Sequence, residues 1–192
     1  MIVVPIKNTP GVKIRRIEIS GNHASGTAFI EFDDVKVPAE NIIGELGHGL
    51  KYALTNFSHE RLAWGASGTM QARKALSTAF AYCMKREAFG KTLIQQPVVR
   101  NRLARCGADL EALWALVEQT TYQMAKLPKA ISDVELGGQT AMIKAKTGMV
   151  LDECARCAVL LMGGVGMTKS GQGEIVESKF TLRLFFQSIV VN

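Results

Sequence analysis

The chain has 192 residues, 47% of them hydrophobic and 21% charged, with 23 basic against 17 acidic side chains for a formal charge of +6. That length and apolar content support an ordered core, and no run approaches the roughly 18 to 20 consecutive apolar residues of a membrane-spanning helix. The basic residues are spread thinly, without the clustered stripe or aromatic interleaving that nucleic acid calls for, so the excess charge fits a phosphate-bearing ligand better.

The first residues, Met1-Ile2-Val3-Val4-Pro5-Ile6-Lys7, have no basic region ahead of an apolar stretch and no small-residue cleavage site. They read as a β-strand, not a secretory signal, and a chain that opens in mid-strand implies further sequence upstream. From Met1 to Gly44 the signals are those of strands and turns. Val12-Lys13-Ile14-Arg15 and Ala28-Phe29-Ile30-Glu31-Phe32 alternate, and Pro10-Gly11, Ser20-Gly21-Asn22 and Asp33-Asp34 punctuate them. Two or three strands cannot cover both faces of a sheet, so residues 1–44 read as a remnant that completes a larger one.

After Gly49 the period becomes helical. Leu50, Ala53, Leu54 and Phe57 share a face that Leu62, Ala66 and Met70 continue, and the helix is expected to end near Phe89-Gly90 with Lys85 and Arg86 in its last turn. A second helix opens at Pro97, carries Val99, Leu103, Cys106, Leu110, Leu113, Val117 and Met124 at helical spacing, and stops at Pro128. Ser132-Asp133-Val134-Glu135 reads as a capping box for a third, with Leu136, Thr140, Ile143, Thr147, Val150, Cys154, Cys157 and Leu161 on its inner face and Gly163-Gly164 as its stop. A shorter helix is expected from about Gln172 to Phe180. Residues 45–192 therefore read as an antiparallel four-helix bundle, making the protein mainly α. The four cysteines occupy small apolar positions of these helices, and Cys154 and Cys157, although a CxxC, lack a second pair or a histidine partner, so they read as buried thiols.

Periodicity alone stops there. Four motifs in order carry more: Phe32-Asp33-Asp34-Val35-Lys36-Val37-Pro38-Ala39-Glu40-Asn41-Ile42-Ile43-Gly44, Glu60-Arg61, Tyr82 with Arg86-Glu87-Ala88-Phe89-Gly90-Lys91, and Gly163-Gly164-Val165-Gly166. Together they resemble the acyl-CoA dehydrogenases over nearly the whole chain. The resemblance implies the last strands of that family's middle β domain followed by its C-terminal helical domain, with FAD as cofactor, an acyl-CoA as substrate, and a homodimer or homotetramer as the assembly.

The implied reaction removes a proton α to a thioester carbonyl while a hydride leaves the β-carbon for the flavin, and it needs a carboxylate base. Many members carry that acid near the chain end, where Val190 to Asn192 offer none. Members of the isovaleryl and long-chain types place it on the first bundle helix before an arginine, which makes Glu60 the expected catalytic base. By the same resemblance Ser58, His59 and Arg61 contact substrate, while Arg86, Phe89, Gln96, Gly163 and Gly164 contact cofactor, Arg86 reaching its pyrophosphate across a dimer interface. Leu160 stands where the family usually has glutamine.

The family's N-terminal helical domain and flavin-cradling strands have no counterpart in these residues, so the chain alone is expected to bind FAD weakly and to turn nothing over. A non-catalytic helical module that dimerises with a full-length relative, and a segment of an acyl-CoA oxidase, are the competing readings. Compartment stays open among mitochondrion, peroxisome and cytoplasm.

Overall fold

A computed structural model describes residues 1–19 and 25–176, which fall into two compact units, residues 1–57 and residues from Ser58 onward. In the first unit, strand β1 (Val12–Arg16) pairs antiparallel with β2 (Ala28–Phe32), Val12 opposite Phe32 and Arg16 opposite Ala28. Ile14, Phe29, Ile30 and Phe32 stay exposed, as a two-stranded ribbon without a covering layer requires. The strand expected at Met1 to Lys7 is reduced to a single bridge between Ile2 and Ile42. Its partner segment is a turn of 3-10 helix (Ala39–Asn41) after Pro38, and Pro5 has no N–H to donate, so no ladder propagates. The turn expected at Ser20-Gly21-Asn22 lies outside the described residues.

Helix α1 (Gly49–Lys85) begins in the first unit and continues into the second. Its inner face differs from the one read in the sequence: Leu50, Leu54, Phe57 and Met70 are exposed. The buried stripe is Ser58, Leu62, Gly65, Gly68, Thr69, Ala72, Ala75, Ala79 and Cys83, built almost entirely from small residues. The reason is close approach. A methyl on Gly65 would overlap Ile143, and one on Gly68 would overlap Thr147, both on a later helix.

The first helix also stops earlier than expected. Lys85 is its last residue, and Glu87–Ala88 (β3) and Lys91–Thr92 (β4) pair as a hairpin around Phe89-Gly90. Both turn residues have positive φ, 55° for Phe89 and 75° for Gly90, the signature of a type I′ turn. Gly90 is thus left-handed, but it serves a hairpin and not a helix C-cap.

Helix α2 (Pro97–Lys126) has Pro97 in its first turn and buries Leu103, Cys106, Leu110, Leu113, Val117 and Thr120, the stripe the sequence predicts with its ends frayed toward solvent. Pro128 then starts the short helix α3 (Lys129–Glu135), so Ser132 falls inside it. The expected capping box does not form; the Ser132 hydroxyl donates to the Lys129 carbonyl. Helix α4 (Gly137–Met162) buries Thr140, Ile143, Thr147, Val150, Leu151, Cys154, Cys157 and Met162 and ends at Gly163 with φ 58°. After Gly171–Gly173 in 3-10 form, α5 (Glu174–Val176) starts the expected last helix, whose remainder lies outside the described residues.

The contacts fix the directions. Gly65 faces Ile143 and Gly68 faces Thr147, so α1 and α4 run parallel, whereas Arg73 pairs with Glu111 and Gly65 faces Val117, so α2 runs antiparallel to α1. This is the mainly helical bundle expected from the spacing. Thr69 and Thr147, fully buried, return their hydroxyls to the Gly65 and Ile143 carbonyls, which lets polar residues line the close seam.

Two stability outcomes follow from these positions. Gly65→Ala forces Ile143 aside and costs about 1 to 3 kcal/mol in urea unfolding, while Gly107→Ala, at a helical site with open space, gains about 0.5 to 1 kcal/mol. A gain from both would contradict the seam. Phe89→Asn, which suits positive φ, raises stability by about 1 kcal/mol, and a loss in the same assay would show that Phe89 is held by contacts within the chain.

Candidate functional site

The expected base and its neighbours lie on α1 just inside the second unit. Ser58 is 3% exposed and turned to the interior, His59 and Glu60 stand on the exposed side, and Arg61 is half-buried. A helix delivers Glu60 and Arg61 to adjoining faces about 100° apart, so a carboxylate and a guanidinium stand side by side but point in different directions.

The expected cofactor residues gather elsewhere. Arg86 follows the end of α1 and its N–H donates to the Tyr82 carbonyl, while its own carbonyl accepts from Leu93 N–H at 2.8 Å. Phe89 stands at the hairpin tip, 95% exposed and in a backbone conformation that costs a non-glycine residue roughly 1 to 3 kcal/mol. Gln96 is the residue before α2, its N–H on the Leu93 carbonyl and its carbonyl accepting from Arg100 N–H. Because α4 runs parallel to α1, Gly163 and Gly164 at its C-terminal end lie at the same end of the bundle as this hairpin. Among the described residues nothing lies within 4 Å of where a side chain would begin at either glycine.

The structure therefore brings Arg86, Phe89, Gln96, Gly163 and Gly164 to one end and leaves Ser58, His59, Glu60 and Arg61 apart from them. From Arg61 to Lys85 the axis of α1 runs about 36 Å at about 1.5 Å per residue.

One supporting residue of this loop escapes a reading by motif. Arg100, in the first turn of α2, places its guanidinium against the Ile94 and Gln95 carbonyls at 3.3 and 2.9 Å and so braces the loop that presents Gln96. A cation at a helix N-terminus is electrostatically unfavourable, and that anomaly is the signal that could have found it. Among the described residues no group of three or more His, Cys, Asp or Glu is arranged to hold a metal ion, and no helix is long and apolar enough to cross a membrane.

A family model described as "Acyl-CoA dehydrogenase, C-terminal domain" matches residues 47–180. The chain is 60% identical over 178 residues to the acyl-CoA dehydrogenase apdG of Emericella nidulans, covering 93% of this chain and 41% of that protein. It is 32% identical over 164 residues to a glutaryl-CoA dehydrogenase of Desulfococcus multivorans, covering 85% of this chain and again 41% of the relative. Among solved structures, the butyryl-CoA dehydrogenase of Megasphaera elsdenii superimposes with a TM-score of 0.77 at 26% identity, over 97% of this chain and 46% of that one. The glutaryl-coenzyme A dehydrogenase in complex with glutaryl-CoA gives 0.76 at 27% identity, over 99% and 45%. The chain thus spans less than half the length of these relatives. It belongs to the acyl-CoA dehydrogenase family, whose C-terminal domain residues 47–180 match.

Proposed function

We propose that this chain supplies the helical half of an FAD-dependent acyl-CoA dehydrogenase, which oxidises an acyl-CoA thioester to the 2,3-enoyl-CoA. The observation that carries the reading is that one family domain presents Glu60-Arg61 on α1 and, at the far end of the same helix, a strained and fully outward Phe89 beside Arg86. Strain that persists in a turn that asparagine or glycine would relax is best explained by a ligand for the aromatic ring.

The cofactor end fits FAD in its chemistry. Arg86 offers planar, paired donors for a pyrophosphate, Phe89 an aromatic face for stacking, and Gly163 and Gly164 room for close approach of backbone to ligand. Held there, FAD would supply the acceptor for the hydride that leaves the β-carbon of the acyl chain. Glu60 takes the α-proton onto a carboxylate oxygen. Arg61, as a guanidinium, has no proton-accepting atom and is assigned with Ser58 and His59 to holding the thioester. Glu60 stands on the exposed side of this chain, so the dry surroundings that sharpen a carboxylate base come from the ligand and from protein beyond these residues.

About 36 Å along α1 separates the cofactor-end residues from Glu60, so the two groups are read as parts of different sites. Arg86, Phe89, Gln96, Gly163 and Gly164 of one copy are therefore assigned to the flavin that serves Glu60 of another. A homodimer is the smallest working unit, and a homotetramer repeats it. Exposed Phe80, Met84, Val98, Met142 and Met149 on the second unit supply apolar area for such contacts.

In the flavin-loaded enzyme containing this chain, Glu60→Gln slows flavin reduction by acyl-CoA on the order of 10² to 10⁴-fold in stopped flow, with thioester affinity retained. Glu40→Gln, on the exposed 3-10 turn of the first unit, leaves the rate nearly unchanged. Reduction at the wild-type rate by the Glu60 variant would remove it from the role of base. Arg86→Lys weakens FAD roughly tenfold by equilibrium dialysis, since lysine cannot make the paired contact; unchanged affinity would unseat Arg86.

A further inference from the structure

Pro97 opens α2 but has no N–H, so the 3-10 turn Leu93–Gln95 cannot run on into the helix by donating from position 97 to the Ile94 carbonyl. Arg100, in the first turn of α2, fills that gap. Its Nη1 donates to the Ile94 carbonyl at 3.3 Å and to the Gln95 carbonyl at 2.9 Å, so one terminal nitrogen clamps two successive carbonyls. The backbone extends the chain of bonds on both sides. Arg100 N–H donates to the Gln96 carbonyl at 3.2 Å, Gln96 N–H to the Leu93 carbonyl at 3.0 Å, and Leu93 N–H to the Arg86 carbonyl at 2.8 Å.

We propose that Arg100 is a positioning residue for the flavin cofactor, acting through the Ile94 to Gln96 backbone to hold Gln96 at a set distance from Arg86. The inference rests on the assignment of Arg86, Phe89 and Gln96 to FAD made above. Between Arg86 and Gln96 the chain has a hairpin with 2 residues in each strand and a 3-10 turn of 3 residues, elements too short to fix an end-to-end distance by themselves. The clamp ties that turn to the 30 residues of α2, whose inner face is buried in the bundle. A ligand that meets both Arg86 and Gln96 then finds their separation already set, and binding need not order the loop.

The residue type matters as much as the place. A cation in the first turn opposes the helix dipole, and the two charge-assisted bonds to carbonyls offset that cost. The planar guanidinium holds both bonds in one plane, whereas a lysine ammonium is a point charge on a freely turning stem. Arg100 also lines the groove between α1 and α2 with Phe80, Leu103 and Ala104, so its stem has packing to lose as well as its donors. Arg102, close by on α2, lines a different groove with Asp109 and Glu153 and takes no part in the clamp.

The test measures FAD affinity by equilibrium dialysis on the enzyme containing this chain. Arg100→Met, which keeps an apolar stem and a helix-forming residue, weakens FAD roughly three- to tenfold, and Arg100→Lys recovers part of the loss. Arg102→Met, which removes a cation from the same stretch of α2 but no clamp, changes affinity by less than about twofold. In a Gln96→Ala background, adding Arg100→Met weakens FAD by less than about twofold further, because the clamp has lost the side chain it positions. Wild-type affinity in Arg100→Met, an equal loss in Arg102→Met, or losses that multiply in the double variant would each overturn the proposal. Unchanged affinity in both Arg86→Lys and Gln96→Ala would bring down the cofactor assignment itself, and this inference with it.

Discussion

The seating of the Ile143 and Thr147 side chains of α4 on Gly65 and Gly68 of α1 is the constraint that sets how α1 packs in the second unit. Gly65 and Gly68 leave room on the α1 backbone for the Ile143 and Thr147 side chains, and Ala72, Ala75 and Ala79 continue the buried face of α1 toward the hairpin end. Such a seam is stabilised by many short dispersion contacts and not by the bulk of any one residue, so it holds direction tightly while tolerating polar members like Thr69 and Thr147. Because α1 is one continuous helix, whatever fixes its path also fixes Glu60 near one end and Arg86 just past the other.

That geometry sets the spacing between the two groups of candidate residues. At one end the helix offers a carboxylate next to a guanidinium. At the other, Phe89 is held outward by a turn that the residue itself resists, and Arg100 anchors the neighbouring loop to the start of α2. In the proposed function these ends act on different copies, so the length of α1 sets the spacing between subunits as much as it sets anything within one.

Much of this was legible in the sequence, and the failures have physical reasons. The buried faces of α2 and α4 could be read because their large or distinctive residues, from Leu103 to Val117 and from Thr140 to Cys157, recur at helical spacing. The inner face of α1 could not, because its contacts are made by glycine and alanine while Leu50, Leu54, Phe57 and Met70 point outward and dominate any hydrophobic count. The Phe89-Gly90 turn reads as a helix end in the sequence because both a C-cap and a type I′ turn ask for a left-handed glycine. Ser132 resembled a cap, but Pro128 had already begun the helix. The candidate site residues came from family motifs and not from periodicity, and Arg100, which no motif marked, emerged only from its hydrogen bonds to backbone carbonyls.

The division of labour between copies is tested most directly by mixing two disabled forms of the flavin-loaded enzyme containing this chain, one with Glu60→Gln and the other with Arg86→Ala. If Arg86 of one copy serves the flavin at Glu60 of its partner, each mixed dimer holds one doubly damaged site and one intact site, and acyl-CoA oxidation reappears on subunit exchange. If both residues serve the same copy, every site in the mixture keeps one lesion, activity stays absent, and the account is wrong.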